Sequence, residues 1–339
     1  MVQLIKLFTA AALVTFSLAH VAVAHPGGAH HVETAEEHAQ RKLFMTDSKR
    51  LLEACAKTPH GRRLQAEDSA RRAAVIDKIR RERKLSAATV IATNHKSNLT
   101  GVSNATDSVI LFGSQPKCVL EPYVTEGPYY VNGEYLRTDI REKQPGIDLY
   151  TELQIIDINT CLPAQNLYID FWHCNSTGVY SGVNANGNGN SNDKTNINKT
   201  FNRGLAPTSA KGLVTFLTTF PGHYTGRAHH IHVLGTHDGT VLKNNTYSGG
   251  SIFFDQDLIA KVEATSAYVV NKQPLTTNAK DSIFSQSAAT GFDPAVNYVY
   301  LGNSVSDGIF SWISIGINAK LAKSVKAAAR LTANGGVAN

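Results

Sequence analysis

The sequence predicts a mainly β protein, in which an antiparallel β-sandwich domain is preceded by an N-terminal helical arm. Two observations carry this prediction. After residue 116, short runs rich in β-branched and aromatic residues alternate with turn residues, as expected for strands of a sandwich or barrel. Before residue 85, apolar residues recur at helical spacing instead. At 339 residues, the chain can form one large domain or two ordinary ones.

Residues 1–24 have the features of a secretory signal peptide. Lys6 precedes an apolar run from Leu7 to Leu18, and Ala22-Val23-Ala24 forms a small-residue cleavage site. A membrane anchor is the alternative, but the apolar run is short. No later segment reaches the roughly 20 apolar residues of a spanning helix. We therefore expect a secreted, extracellular protein with no membrane partner.

The cysteine and asparagine patterns fit secretion. An even number of cysteines suggests two disulfides with three alternative pairings. A four-thiolate zinc site competes with this interpretation, but no Cys-x-x-Cys pair is present. The cysteines are Cys55, Cys118, Cys161 and Cys174. Glycosylation sequons begin at Asn98, Asn104, Asn175, Asn198 and Asn244.

Residues 25–85 are predicted to form a His-rich head followed by the helical arm. The histidines of the head are His25, His30, His31 and His38. We expect them to bind metal weakly rather than to form a dedicated second site. Thr34 followed by Glu37 predicts a capping box at the start of the first helix, and Pro59 separates it from a second helix. The helices are expected to pack on the main domain or to form a homodimer contact.

The remaining chain divides into a linker, a domain and a tail. Residues 86–115 are rich in Ser, Thr and Asn and predict a linker, 116–317 predict the β-sandwich domain, and 318–339 predict a helix-prone tail. Segments expected to be regular are the strands at 153–158, 167–172, 213–217 and 230–234 and a helix at 257–264. The Asn/Gly-rich stretch 184–200 is expected to be an exposed loop near the rim of the functional site.

The net charge of +6 does not predict a nucleic-acid partner. Much of the excess lies in basic pairs and runs of the helical arm, where they alternate with apolar residues at helical spacing. A solvated helix face explains this pattern better than a polyanion site. No aromatic platform is interleaved with the basic residues, as nucleic-acid binding would require.

The segment from Phe220 to Val233 contains the strongest functional signal. Its His-x-His motif lies in an apolar run typical of a β-strand. Side chains two residues apart on a strand point to the same face, so His230 and His232 can bind one metal ion side by side. Tyr224 lies upstream after a Pro-Gly turn, and Arg227 lies between Tyr224 and His230.

Tyr180, which ends an earlier motif beginning at Trp172, completes a set of candidate ligands. Tyrosinate is a hard anionic donor that stabilises Fe(III) over Fe(II), and imidazole is a general transition-metal ligand. We therefore hypothesise one non-haem ferric iron with four ligands, Tyr180, Tyr224, His230 and His232. Zinc also suits a His-x-His strand, but it would leave both tyrosines unexplained. Without a metal, the four would be structural histidines and packed aromatic residues.

Four motifs occur in order between Cys118 and about Gly239. They are Thr125-Glu126-Gly127-Pro128-Tyr129-Tyr130, Phe171-Trp172-His173-Cys174-Asn175 running to Gly178-Val179-Tyr180, Gly212-Leu213-Val214-Thr215-Phe216 followed by Phe220-Pro221-Gly222-His223-Tyr224, and Arg227-Ala228-His229-His230-Ile231-His232. Together they resemble the intradiol ring-cleavage dioxygenases, in particular the secreted fungal members. The resemblance implies the β-sandwich fold of that family. It does not cover the N-terminal helices or the C-terminal tail.

The resemblance also implies an activity and residue roles. The family's tyrosinates fall on Tyr180 and Tyr224, its histidines on His230 and His232, and its active-site arginine on Arg227. A catechol would bind Fe(III) through both oxygens, and Tyr224 would leave the metal and accept a proton. Arg227 would stabilise negative charge that develops on the ring. The ring would open with O2 between the hydroxyl-bearing carbons to give a muconate-type diacid.

Two other functions compete with a ring-cleaving enzyme. The fold can bind catechols or iron without turnover, although the intact ligand set and Arg227 favour an enzyme. A zinc hydrolase that uses His230 and His232 would need a carboxylate base, and none lies within the His-x-His segment. His229 stands where many members of the family have a small residue or Asn. This departure leaves the preferred catechol open.

Overall fold

The computed structural model describes residues 34–82, 118–120, 127–185, 187–189, 192–236, 246–288, 292–321 and 325–339. The predicted signal peptide, the linker at 86–115 and most of the His-rich head lie outside these ranges. The sequons at Asn98, Asn104 and Asn244 lie outside them too. Within the described part of the chain, no helix is both long and apolar enough to span a bilayer.

Two helices begin the described chain. Helix α1, Ala35–Ala56, starts with the predicted capping box, because Glu37 N donates to Thr34 Oγ1 at 3.2 Å and Thr34 N donates to Glu37 Oε2 at 2.8 Å. These reciprocal bonds satisfy amide groups that the first turn leaves without helical partners. Helix α2, Pro59–Glu82, begins at the proline that ends the previous helix. Proline is tolerated there because its missing amide hydrogen is not needed in the first turn.

Both helices contact the β-rich part of the same chain. Cys55 of α1 forms a disulfide with Cys161. The guanidinium of Arg71, on α2, pairs with the buried carboxylate of Glu152. Leu52 packs with other buried apolar side chains in a separate small cluster. The contact with the main domain is therefore made within one chain, and the predicted homodimer stays a prediction.

The rest of the described chain is mostly β. The strands in chain order are β1 Cys118–Val119, β2 Val131–Asn132, β3 Asp148–Asp157, β4 Tyr168–Trp172, β5 Arg203–Pro207, β6 Leu213–Thr219, β7 His230–Thr236, β8 Thr246–Phe253, β9 Asn297–Tyr300, β10 Ile309–Ile317, β11 Ala329–Thr332 and β12 Gly335–Ala338. The four strands expected from the sequence are present as β3, β4, β6 and β7. The predicted helix at 257–264 is present as α3, Gln256–Glu263, and a short helix α4 follows at Ser282–Ser287.

These strands form three sheets. One sheet has the order β1-β10-β3-β6, with β9 also paired to β10; a second has the order β5-β4-β7-β8, and a third β12-β11-β2. The prediction of antiparallel pairing is wrong for part of the structure, because β10 runs parallel to both β1 and β3, and β11 runs parallel to β2. In each case a long chain segment separates the partners and returns the chain in the same direction.

The two larger sheets share one hydrophobic cluster. Phe171 on β4 and Phe216 on β6, from different sheets, stack with their ring centroids 4.5 Å apart. Ile231 and Val233 point from β7 into the same cluster and are fully buried. Burial of each such side chain stabilises the fold by about 1.5–3 kcal/mol. Because side chains alternate along a strand, His230 and His232 point to the face of β7 that is opposite this cluster.

The prediction of a helix-prone tail at 318–339 is wrong. Residues 325–339 instead carry the hairpin of β11 and β12, and β11 pairs with β2. The Ala- and Lys-rich composition favours helix locally, but the small side chain of Ala329 is 1% exposed in an aromatic cluster. Tertiary pairing therefore overrides the helical propensity of this segment.

The expectation of two disulfides is wrong for Cys174, which is a buried free thiol. Its Sγ donates to Gly222 O over 3.3 Å, so the thiol already has a partner inside the β domain. Burial raises the pKa of Cys174 to about 12, which keeps it a neutral thiol. The side chain of Cys118 lies outside the described part of the structure.

Candidate metal centre

Strand β7 presents two histidines to one point. All seven of its residues are buried, and its alternation places Ile231 in the main core while His230 and His232 point to the other face. Their Nε2 atoms lie 3.1 Å apart. Trp172, on the adjacent strand β4, is the cross-strand partner of His232. Its indole stacks on the imidazole of His232, with ring centroids 4.8 Å apart and an interplanar angle of 5°. This packing fixes the orientation of the His232 ring.

Two tyrosines from separate loops reach the same point. The hydroxyl of Tyr180 lies 3.3 Å from His230 Nε2, and the hydroxyl of Tyr224 lies 3.4 Å from it. The rings of Tyr180 and Tyr224 meet edge to face, with centroids 5.5 Å apart. The structure thus brings together the four side chains that the sequence singled out, around His230 Nε2.

The backbone determines which nitrogen of His230 carries the proton. His230 Nδ1 lies 2.6 Å from Ala228 O, and a carbonyl oxygen only accepts, so Nδ1 carries the hydrogen. In the neutral imidazole, Nε2 is then left with a lone pair that faces His232 and both phenols. This is the tautomer that a metal-binding histidine needs. Metal-binding histidines usually donate their other ring N–H to a carbonyl or carboxylate oxygen, as Nδ1 does here.

The spacing of these donor atoms fits one metal ion. Ligands at about 2.0–2.1 Å from an ion, with angles between about 90° and 110°, lie roughly 2.8–3.4 Å from one another. The measured separations from His230 Nε2 are 3.1 Å, 3.3 Å and 3.4 Å, to His232 Nε2, Tyr180 Oη and Tyr224 Oη respectively. Two oxygen and two nitrogen donors in this arrangement suit a transition-metal ion such as iron.

Burial of the site keeps both tyrosine hydroxyls neutral unless a cation is bound. Burial raises the pKa of Tyr180 well above the ordinary value, and it raises the pKa of Tyr224 as well. The nearby guanidinium of Arg227 opposes the shift at both hydroxyls but does not cancel it. Either phenol therefore ionises at neutral pH only if a metal ion takes up its negative charge.

Asparagine side chains hold the loop that presents Tyr180. Asn188 accepts from Tyr180 N at 2.8 Å and donates to Tyr180 O at 2.8 Å. Asn196 donates to the same carbonyl oxygen at 2.7 Å. Both asparagines are buried and belong to the Asn/Gly-rich stretch 184–200. This stretch therefore holds the backbone of Tyr180 in place through side-chain hydrogen bonds.

Two glycines let the tyrosine-bearing loops approach closely. Gly178 has a φ of +80°, and a Cβ there would clash with the carbonyl oxygen of His223. A Cβ on Gly222 would clash with the backbone of Asn175 and would meet Ser176 O at 2.5 Å. The loops therefore pack backbone against backbone, which sets the distance between the two tyrosines.

We expect Gly178→Ala to weaken the site. The substitution places a side chain at a positive φ, which costs about 1–3 kcal/mol, and it pushes the Tyr180 loop away from the backbone of His223. Iron binding by the purified variant should weaken, and its thermal unfolding should begin at a lower temperature. Thr225→Ala removes an exposed side chain beside Tyr224 and is the control. Unchanged iron binding in Gly178→Ala would contradict this account of the loop packing.

Arg227 lies beside the tyrosines and is held by a carboxylate. Its side chain is 1% exposed, and Nε donates to Asp281 Oδ2 at 2.9 Å. Asp281 Oδ2 also accepts from Ala228 N at 2.8 Å, and Oδ1 accepts from the first amides of α4. The carboxylate thus ties Arg227 and the segment that precedes strand β7 to one helix end.

Aromatic side chains close the site around the ligands. Tyr129 stacks on Tyr180 with centroids 4.6 Å apart and meets Tyr224 edge to face at 5.8 Å. Tyr130 packs on Trp172 at 5.0 Å. All of these rings are buried, so they exclude bulk water from the donor atoms.

Several residues that hold the site were not predicted from the sequence. Asp281, Asn188 and Asn196 belong to none of the four motifs. The partner of Asp281, Arg227, lies 54 positions away in the chain. Asp281 had one local signal, because an Asp before Ser-Ile-Phe is a typical helix N-cap. The sequon at Asn175 is in fact part of the site: its Oδ1 accepts from Val179 N at 3.0 Å and its Nδ2 donates to Gln144 Oε1 at 3.1 Å.

Comparison with solved structures gives clear neighbours. The chain is similar to an intradiol ring-cleavage dioxygenase from Tetranychus urticae, with 30% sequence identity and a TM-score of 0.50, over 60% of this chain and 96% of that one. A second dioxygenase structure is 30% identical with a TM-score of 0.49, over 60% and 95% of the two chains. The dioxygenase domain of a carbohydrate-binding fusion from Streptomyces sp. SirexAA-E is 22% identical with a TM-score of 0.38, over 57% and 94%. No family model and no curated protein matches the sequence.

Proposed function

Because the chain belongs to the intradiol ring-cleavage dioxygenases, we propose that it is a secreted enzyme that uses non-haem Fe(III). It takes a catechol-type substrate and O2, and it opens the ring between the two hydroxyl-bearing carbons. Both oxygen atoms enter the product, a muconate-type diacid. The observation that carries the proposal is the convergence of two phenol oxygens and two imidazole nitrogens on one point.

The proposed ligands of the iron are Tyr180, Tyr224, His230 and His232. When bound, ferric iron acts as a Lewis acid that draws electron density from a chelated catechol. His230 contributes the Nε2 lone pair, since its Nδ1–H is committed to Ala228 O. The stacked indole of Trp172 keeps His232 in its orientation. These contacts would hold both imidazoles in place, with their Nε2 atoms 3.1 Å apart, to bind the metal.

Tyr224 and Arg227 are the proposed catalytic residues. Tyr224 would accept a proton at its Oη, because burial raises the pKa of this hydroxyl and makes its phenolate strongly basic. Arg227 supplies a fixed positive charge close to both tyrosines and so favours negative charge on the substrate ring. Asp281 keeps that guanidinium in place through Nε, and the surrounding aromatic rings keep water away.

The location and assembly of the protein are part of the same proposal. The signal-like residues 1–24, the sequons and the Cys55–Cys161 disulfide support secretion. We assign the chain to the secreted fungal-type branch on its sequence motifs. The hydrophobic cluster shared by the two larger sheets supports the sandwich architecture. The homodimer through the N-terminal helices is retained as a prediction.

A visible absorption spectrum with metal analysis on the same sample tests the proposed function. We expect a reddish tyrosinate-to-Fe(III) charge-transfer band in the purified protein, and we expect anaerobic catechol to shift it to longer wavelength. Admission of air should then cause the band to decay while a muconate-type diacid forms.

The same experiment identifies the competing functions. A band that shifts with catechol but persists in air would indicate a binding protein without turnover. A colourless protein that holds zinc, or no metal, would show that the tyrosines are not ligands.

A further inference from the structure

A carboxylate behind the metal centre joins two ligand-bearing segments. Glu263 is the last residue of α3, and its Oε1 lies 2.8 Å from His223 Nδ1 and 2.6 Å from His229 Nε2. His223 directly precedes Tyr224, and His229 directly precedes His230. A single oxygen atom therefore connects the loop of one proposed ligand to the strand of another.

Both imidazoles donate to this oxygen. His223 Nε2 also lies 2.9 Å from Gln273 O, so both ring nitrogens of His223 have a hydrogen-bond partner. Burial alone would raise the pKa of Glu263, but the bonds from His223 and His229 outweigh it and lower the pKa to about 2. The carboxylate is therefore ionised, and both bonds are charge-assisted, the stronger class of hydrogen bond.

The helix that carries Glu263 is firmly anchored. Leu258, Ile259 and Val262 of α3 are at most 1% exposed and belong to the main hydrophobic cluster. The chain that follows reinforces the contact, because Asn271 Nδ2 donates to His223 O at 2.8 Å. Glu263 thus links the two ligand segments to a rigid part of the core rather than to a surface loop.

We propose that Glu263 is a positioning residue, which holds the Tyr224 and His230 segments at the separation that iron binding needs. This inference rests on the proposed function, since it assumes that Tyr224 and His230 bind iron. His223, His229 and Glu263 also have donor atoms close enough for a second metal. Hydrogen bonding explains them better: both nitrogens already donate to Oε1, and His229 Nδ1 finds no hydrogen-bond partner among the described residues, unlike a metal-bound histidine.

The test compares iron affinity, measured by chelator competition, in the wild type, Glu263→Gln and Glu263→Ala. Loss of an outer partner of a metal ligand typically costs about 10–100-fold in metal affinity. We expect a loss in this range for Glu263→Ala and a smaller loss for Glu263→Gln, which keeps an acceptor but not the charge. The tyrosinate band should shift in both variants, and kcat should fall at saturating iron. A purely structural role would change thermal stability but would not shift the band of the iron-loaded protein.

Asp257→Asn is the matched control, because it removes an exposed carboxylate from the same helix. Variants that match an iron-loaded, active wild type in affinity and in band position would overturn the positioning role alone. A wild type that binds no iron would instead overturn the proposed function, and the positioning role with it. Uptake of one Zn²⁺ by the iron-loaded wild type, absent in Glu263→Ala, would replace the positioning role with a second metal site.

Discussion

His230→Ala is expected to abolish iron binding and ring cleavage. The Nε2 atom of His230 lies within 3.4 Å of the other three proposed donor atoms, so its removal takes away the ligand at the centre of the set. Iron affinity should fall by more than the roughly 10–100-fold typical of an outer partner. The purified variant should be colourless, and catechol should be recovered unchanged after incubation in air.

The substitution also affects the metal-free protein. His230 Nδ1 donates to Ala228 O, and the variant leaves this buried carbonyl without that partner, which costs about 1–3 kcal/mol. Thermal unfolding of the metal-free wild type and the metal-free variant measures this loss of stability separately from the loss of iron binding. His38→Ala, which removes an exposed histidine on α1, should leave the tyrosinate band and the activity unchanged. A coloured, active His230→Ala protein would show that the metal is bound elsewhere.

The parts of the fold that could be predicted depend on local sequence. The alternation in β7 predicted both its strand structure and the common direction of His230 and His232, because the period of two is a property of the backbone itself. Thr34 and Glu37 likewise predicted the start of α1 through bonds within four residues. The Asn/Gly-rich loop was expected near the site, but not its bonds to Tyr180.

The parts that could not be predicted depend on distant contacts. Asp281 and Arg227 are separated by 54 positions, and Glu263 and His229 by 34, so no local pattern marks either pair. The C-terminal tail has helix-forming composition, but pairing with β2 makes it a strand. Likewise, the even number of cysteines predicted a disulfide for Cys174, but its thiol donates a hydrogen bond to Gly222 O instead.

Tyr224→Phe is expected to slow turnover strongly while the fold is retained. The phenylalanine ring can keep the edge-to-face contacts with Tyr129 and Tyr180, so only the hydroxyl is lost. General acid–base groups contribute about 10²–10⁴-fold to rate, and kcat should fall within this range if Tyr224 Oη accepts the proton of the substrate. Iron should be bound less tightly, and the charge-transfer band should change because one tyrosinate is missing.

Tyr268→Phe provides the matched control for loss of a buried hydroxyl. The Tyr268 hydroxyl donates to Phe220 O at 2.6 Å and accepts from Ile147 N at 3.2 Å, and it is not one of the proposed ligands. This control should lose stability, because two buried backbone groups lose a partner, but it should keep the band and kcat of the wild type. If both variants lost activity equally, the effect at Tyr224 would be one of stability. If Tyr224→Phe kept the wild-type kcat at saturating iron, the proton acceptor would have to be another group.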